Sequence, residues 1–105
     1  MKNMFDIMKQ AQQLQSRMAT MQQELEAAEV EGRAGGGMVT IVMSGKGEVK
    51  KVSVDPSLMK EDEREILEDL IVAACADARS KAEQLAAEKM KSVAGGLPLP
   101  PGLGL

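Results

Sequence analysis

At 105 residues, with 13 basic against 16 acidic side chains and a net charge of −3, the chain has the length of one domain. It holds no His, Trp or Tyr, one Phe, one Cys and nine Met, which removes the usual general base, the usual zinc ligand and the rings on which single-strand binders stack bases. Of its residues 44% are hydrophobic, but 13 are Ala, so the core per chain is thin and burial against a second copy is an early expectation.

The chain opens Met1-Lys2-Asn3-Met4-Phe5-Asp6 without an apolar signal segment. Met4, Ile7, Ala11, Leu14, Met18, Met21, Leu25 and Ala28 then follow at alternating steps of three and four, a heptad repeat without a miss. This spacing predicts a helix of about 26 residues, or ~39 Å at ~1.5 Å per residue, with a narrow apolar seam. A compact globule of this length has a radius of gyration of roughly 13 Å, so the helix must project and its seam serves packing or a dimer.

Gly32, Gly35, Gly36 and Gly37 end the helical pattern and mark a loop. Residues 38–43 and 48–54 are rich in β-branched side chains and flank Ser44-Gly45-Lys46-Gly47, a hairpin connection. Residues 29–33 supply a weaker third strand, giving an antiparallel sheet of two or three strands. Asp55-Pro56-Ser57 closes the sheet, and acidic residues at 61–63 and 65 open a second helix, where negative charge favours an N-terminus. Ile66, Leu67, Leu70, Ile71, Ala74, Ala78, Ala82 and Leu85 form its apolar stripe, and the absence of Gly or Pro to about Val93 predicts roughly 30 helical residues, ~45 Å. Seven of the last eleven residues are Gly or Pro, which separates a tail, 95–105, from a single domain over 1–94. The order is α+β, with a long helix at each end of a small antiparallel sheet.

Little of this points to catalysis. The glycines at 32–37 lack the Gly-Lys-Ser/Thr ending of a phosphate loop, and Gly45-Lys46-Gly47 lies between strands, where a turn is expected. The acidic run at 61–68 lacks a calcium-loop spacing and reads as a solvated helix start. Cys75, beside Ala74 on the apolar stripe, reads as a small buried residue, with no His to activate it and no second Cys to pair with. The longest uncharged apolar run, residues 70–76, is too short to span a bilayer. A cytoplasmic protein without enzymatic activity, cofactor, metal, small-molecule substrate or membrane is therefore expected.

The charge is unevenly spread. Residues 1–23 carry +2, 24–31 carry −4, 32–60 carry +3, 61–69 carry −5 and 70–105 carry +1. Acidity thus gathers at two junctions beside the sheet, with milder positive charge at the start of the first helix and the end of the second. Lys2, Lys9 and Arg17 share one face of the first helix away from the seam, whereas Arg79, Lys81, Lys89 and Lys91 spread over about two-thirds of the second helix's circumference.

Met8-Lys9-Gln10-Ala11-Gln12-Gln13-Leu14-Gln15, Val54-Asp55-Pro56-Ser57-Leu58, the stretch 67–74 with Asp77-Ala78, and Leu99-Pro100-Pro101-Gly102 together resemble the YbaB/EbfC family of bacterial nucleoid-associated proteins. The likeness runs in order through nearly the whole chain, departing at Ala76, where relatives often carry Asn, and at Leu103, where they often carry an aromatic. It implies a tweezer-like homodimer of α-β-β-β-α chains that binds duplex DNA on the nucleoid in the cytoplasm. Under it, Lys2, Lys9, Arg17, Arg79, Lys81, Lys89 and Lys91 are the expected phosphate partners, with Lys46, Lys50 and Lys51 second. Contacts would fall on phosphates more than on base edges, with low sequence specificity and an effect on nucleoid organisation and gene expression. The alternative is a prefoldin-like coiled-coil chaperone or protein–protein adaptor, which needs two long helices paired along their full length.

Overall fold

The computed structural model describes residues 3–94. Lys2 and the tail from 95 to 105, with its Leu-Pro-Pro-Gly, lie outside the described residues. Helix α1 spans Met4–Ala27, strands β1, β2 and β3 span Glu29–Ala34, Val39–Ser44 and Val49–Val54, and helix α2 spans Arg64–Ala94 after short 3-10 turns at Pro56–Leu58 and Glu61–Glu63. The architecture is the expected α-β-β-β-α, and the weak third strand forms.

Local chemistry sets each boundary. The Asn3 side chain accepts a hydrogen bond from the Asp6 backbone N–H at 3.0 Å and caps α1, with Asp6 itself in the first turn. The helix stops at Ala27, so Ala28, the last heptad position, already has extended backbone and leads directly into β1. Gly35, Gly36 and Gly37 all have positive φ and turn the chain back into β2. Gly32, counted in the sequence with these loop glycines, instead lies inside β1. Asp55 accepts from the Ser57 backbone N–H at 2.8 Å and caps the 3-10 turn that Pro56 begins, and this hydrogen bond holds its carboxylate below the usual range.

The sheet has the order β1-β2-β3, antiparallel throughout, with an irregularity of register at Val42/Met43. Val39, Ile41 and Met43 alternate along β2 toward α2 and form the core with Leu58, Ala74, Ala78 and Ala82. Alanines at every fourth position let α2 lie close on the strands. At Gly32 an added Cβ would meet the Ala74 carbonyl oxygen at 2.2 Å and the Ala78 nitrogen at 2.4 Å, so backbone touches backbone there. Cys75 is half-buried against this core.

The two sheet edges differ. On β1, the Arg33 backbone N–H donates to Asp77 at 3.0 Å and the Glu31 carbonyl accepts from Lys81 at 2.7 Å, so side chains of α2 close that edge. At the other edge, β3 is exposed along nearly all its length. Val52 pairs with Ile41 and so shares the face that α2 covers over β1 and β2, yet it is 48% exposed.

Helix α1 runs antiparallel to the last part of α2, and the molecule measures 71 × 25 × 15 Å with a radius of gyration of 19.7 Å. The expectation that the helices outrun a compact globule therefore holds.

Candidate nucleic-acid interface

The heptad seam divides in two. Met21 and Leu25 are buried, and Met18 and Ala28 are half-buried against the rest of the chain. Met4, Ile7, Ala11 and Leu14 are exposed, with Met4 at 77%, and Phe5 beside them reaches 84%. Among the described residues α2 ends at Ala94, one residue beyond the Ser92 and Val93 that face Ser16 and Arg17, so the first three turns of α1 stand free of it. About twelve residues at ~1.5 Å give an arm of ~18 Å.

Cations are distributed along this arm, along α2 and on the hairpin. Lys9, Arg17, Arg79 and Lys91 are exposed and take part in no ion pair among the described residues. Lys89 is held by Glu24 across the two helices. Lys81 is turned back toward the sheet, where it meets Asp77 at 3.2 Å as well as the Glu31 carbonyl. On the hairpin, Lys46 meets Glu26 at 3.1 Å, Lys50 reaches the Glu26 carbonyl at 3.0 Å near the end of α1, and Lys51 is exposed. The acidic stretch 24–31 thus supplies partners for Lys46, Lys50, Lys81 and Lys89. These pairs are solvent-exposed and individually weak, of order 0–1 kcal/mol.

Two grooves flank the contact between the helices. On one side, about 330 Å³ is lined by Arg17 and Lys89, by Glu24, by the hydroxyl-bearing Ser16, Thr20 and Ser92, and by Met21 and Val93. On the other side, about 490 Å³ lies between the hairpin turn and the helices, with Lys46, Arg79 and Glu83 at its rim. The turn is fixed by Ser44, whose hydroxyl accepts from the backbone N–H groups of Lys46 and Glu48 at 3.2 Å each, and by the Gly45 N–H donating to the Leu25 carbonyl at 2.8 Å.

The structure thus brings Arg17 and Lys89 together and sends Arg79 and Lys81 elsewhere, as their spread around α2 implied. The neighbours Glu24, Ser16, Thr20 and Ser92 were not singled out in the sequence, because groups 65 residues apart share no local signal. Asp77 is the one strongly committed carboxylate of α2. The backbone N–H of Arg33 and then the Lys81 ammonium hold it below the usual carboxylate range. Among the described residues no three His, Cys, Asp or Glu side chains are placed to hold a metal ion, and no helix is long and apolar enough to cross a membrane.

Comparison with known proteins gives a consistent picture. The family model described as the YbaB/EbfC DNA-binding family matches residues 1–97. A nucleoid-associated protein of Nitrobacter hamburgensis is 61% identical over 105 residues, covering 100% of this chain and 99% of its own. A nucleoid-associated protein of Agrobacterium fabrum is 54% identical over 105 residues, covering 100% and 98%. Among solved structures, an uncharacterized protein from Helicobacter pylori superposes with a TM-score of 0.72 at 19% identity, covering 91% of this chain and 97% of its own, a likeness of fold.

Proposed function

The chain belongs to the YbaB/EbfC DNA-binding family, and from that premise we propose that it binds duplex DNA as a homodimer, mainly through phosphates and with little reading of base sequence, on the nucleoid in the cytoplasm. Relatives covering the whole chain bear the name nucleoid-associated protein, which supports the location and a part in nucleoid organisation and gene expression. The observation that carries the mechanism is that Lys9 on the projecting arm of α1, with Arg17 and Lys91 where the two helices meet, is exposed and, like them, in no ion pair among the described residues. Such cations displace counterions from the duplex at small cost, because no internal ion pair must first break. Lys2, Arg79, Lys81 and Lys89 complete the proposed set, with Lys46, Lys50 and Lys51 of the hairpin second. With one Phe and no Trp or Tyr, the chain has few rings for stacking on bases, which favours phosphate contact over stacking. The proposal is of a binding protein, with no catalytic step and no cofactor.

Self-association is supported by large apolar side chains left at least 40% exposed: Met4, Ile7 and Leu14 on the seam, Val49 and Val52 on the open strand, and Ile66 and Val72 on α2. Two copies joined through such surfaces present paired arms that can grip a duplex of ~20 Å diameter. The coiled-coil chaperone reading requires helices matched along their whole length, whereas α1 meets α2 only over its second half.

Substituting Glu for Lys9 and Arg17 together tests the proposal. Duplex retention in a gel should fall by about tenfold or more, as expected for losing two phosphate contacts, while suppression of aggregation of an unfolded client stays as in the parent. Retention that is unaffected, with a loss of aggregation suppression, would favour the chaperone.

A further inference from the structure

The groove between α1 and α2 is already occupied by an oxyanion of the protein itself. Glu24 of α1 extends a carboxylate oxygen to the Lys89 ammonium of α2, and Arg17 lies about two turns earlier on the same helix and lines the same groove. Ser16, Thr20 and Ser92 bring three hydroxyls to its walls. Two cations and three hydroxyl donors around a space of about 330 Å³ form a set that suits a phosphodiester, with its one negative charge and two free oxygens. Only Glu24 opposes it.

We propose that this groove is a backbone-phosphate site in which Glu24 is a built-in competitor. A DNA phosphate enters between Arg17 and Lys89, takes the ammonium from Glu24, and is held further by the hydroxyls. The carboxylate then turns out to solvent, which its half-exposed side chain allows. Free protein thereby keeps Lys89 partly neutralised, and a DNA phosphate engages it only by displacing the carboxylate. The effect is to set the affinity below what the arm cations alone would give. This inference rests on the DNA-binding reading above and specifies where one phosphate sits.

Equilibrium binding of a mixed-sequence duplex to the full chain and to four variants, Glu24→Gln, Lys89→Ala, the double variant and Glu88→Gln, tests it at low salt. Glu88 is an exposed carboxylate of α2 outside the groove, and it reports the general effect of removing one negative charge near DNA. Glu24→Gln should tighten binding about threefold, within the worth of an exposed ion pair, and more than Glu88→Gln does. In the Lys89→Ala background the gain should fall to that of Glu88→Gln. Lys89→Ala itself should flatten the log–log salt dependence by about 0.9, the share of one phosphate. An equal gain from Glu24→Gln and Glu88→Gln, or a Glu24→Gln gain that is undiminished without Lys89, would overturn the site while leaving DNA binding intact. A parent protein that retains no duplex at low salt would overturn both readings, and circular dichroism of each variant identifies any loss of affinity that comes from unfolding.

Discussion

At Gly32 a single hydrogen atom decides how closely α2 approaches the sheet. A methyl group there would overlap the Ala74 carbonyl, and the stripe Ala74, Ala78 and Ala82 has no larger side chain to give way. Gly32→Ala should therefore destabilise the fold by about 2 kcal/mol or more, in the range of overpacked cores, measured by urea denaturation. Unchanged stability would contradict the close crossing. Asp77 makes a prediction of the opposite kind, through solvent-exposed charge. Its folded carboxylate titrates below its unfolded value because the Arg33 N–H and Lys81 favour the anion. Its contribution is thus complete above about pH 4 and is lost as the pH falls through the lower folded value. Asp77→Asn should be less stable than the parent at neutral pH, and the gap should narrow on acidification; a gap independent of pH would contradict this account. Residue types were legible in the sequence at both positions, but their partners were not. A lone glycine in a strand pattern signals close backbone approach, yet Gly32 stands three residues before a glycine run and reads as part of it. Lys89 read as a free cation because its acceptor lies 65 residues away in the sequence, whereas Lys81 has one acceptor, Asp77, at the local i,i+4 spacing and only the other, the Glu31 carbonyl, 50 residues away.

The elements themselves were the most legible feature, since heptad spacing, β-branched runs and the Gly-bearing turn each fix a period or a reversal locally. What periodicity does not say is which stretch of a seam is received within the chain. In α1 the last two turns are packed inside, by Met21 and Leu25, and the first three are not. Leu25→Ala should accordingly cost about 2–4 kcal/mol of unfolding free energy, as for a leucine removed from a core. A cost below about 1 kcal/mol would mean that α1 is not anchored there. The open strand gives the matching intermolecular test. Val52 lies on the core-side face of the sheet beyond the reach of α2, at an edge with unpaired backbone groups. Val52→Lys should shift the solution mass from dimer toward monomer at micromolar concentration while helical circular dichroism is retained. A mass unchanged by the substitution would contradict self-association through this edge.

For the molecule as a whole, the net charge of −3 conceals its working distribution. Glu24, Glu26 and Glu29 pair with Lys89, Lys46 and Lys50 where the helices meet the sheet, and Glu31 pairs with Arg33, while Lys9, Arg17, Arg79 and Lys91 of the helices are in no ion pair among the described residues. The elongated shape follows from two helices longer than the sheet they flank, and both helices were evident from their spacing. The candidate interface was only half legible: charge mapping located basic arms, and the family likeness supplied DNA, but the groove needed the fold to bring Arg17, Glu24 and Lys89 together. The central claim is that duplex binding rests on phosphate contacts by these arms. Binding of the full chain to a mixed-sequence duplex, titrated from about 50 to about 200 mM salt, tests it most directly. With about four phosphates engaged, the log–log slope should be about −3.6 and should be the same for unrelated duplex sequences. An affinity indifferent to salt over that range would contradict the account.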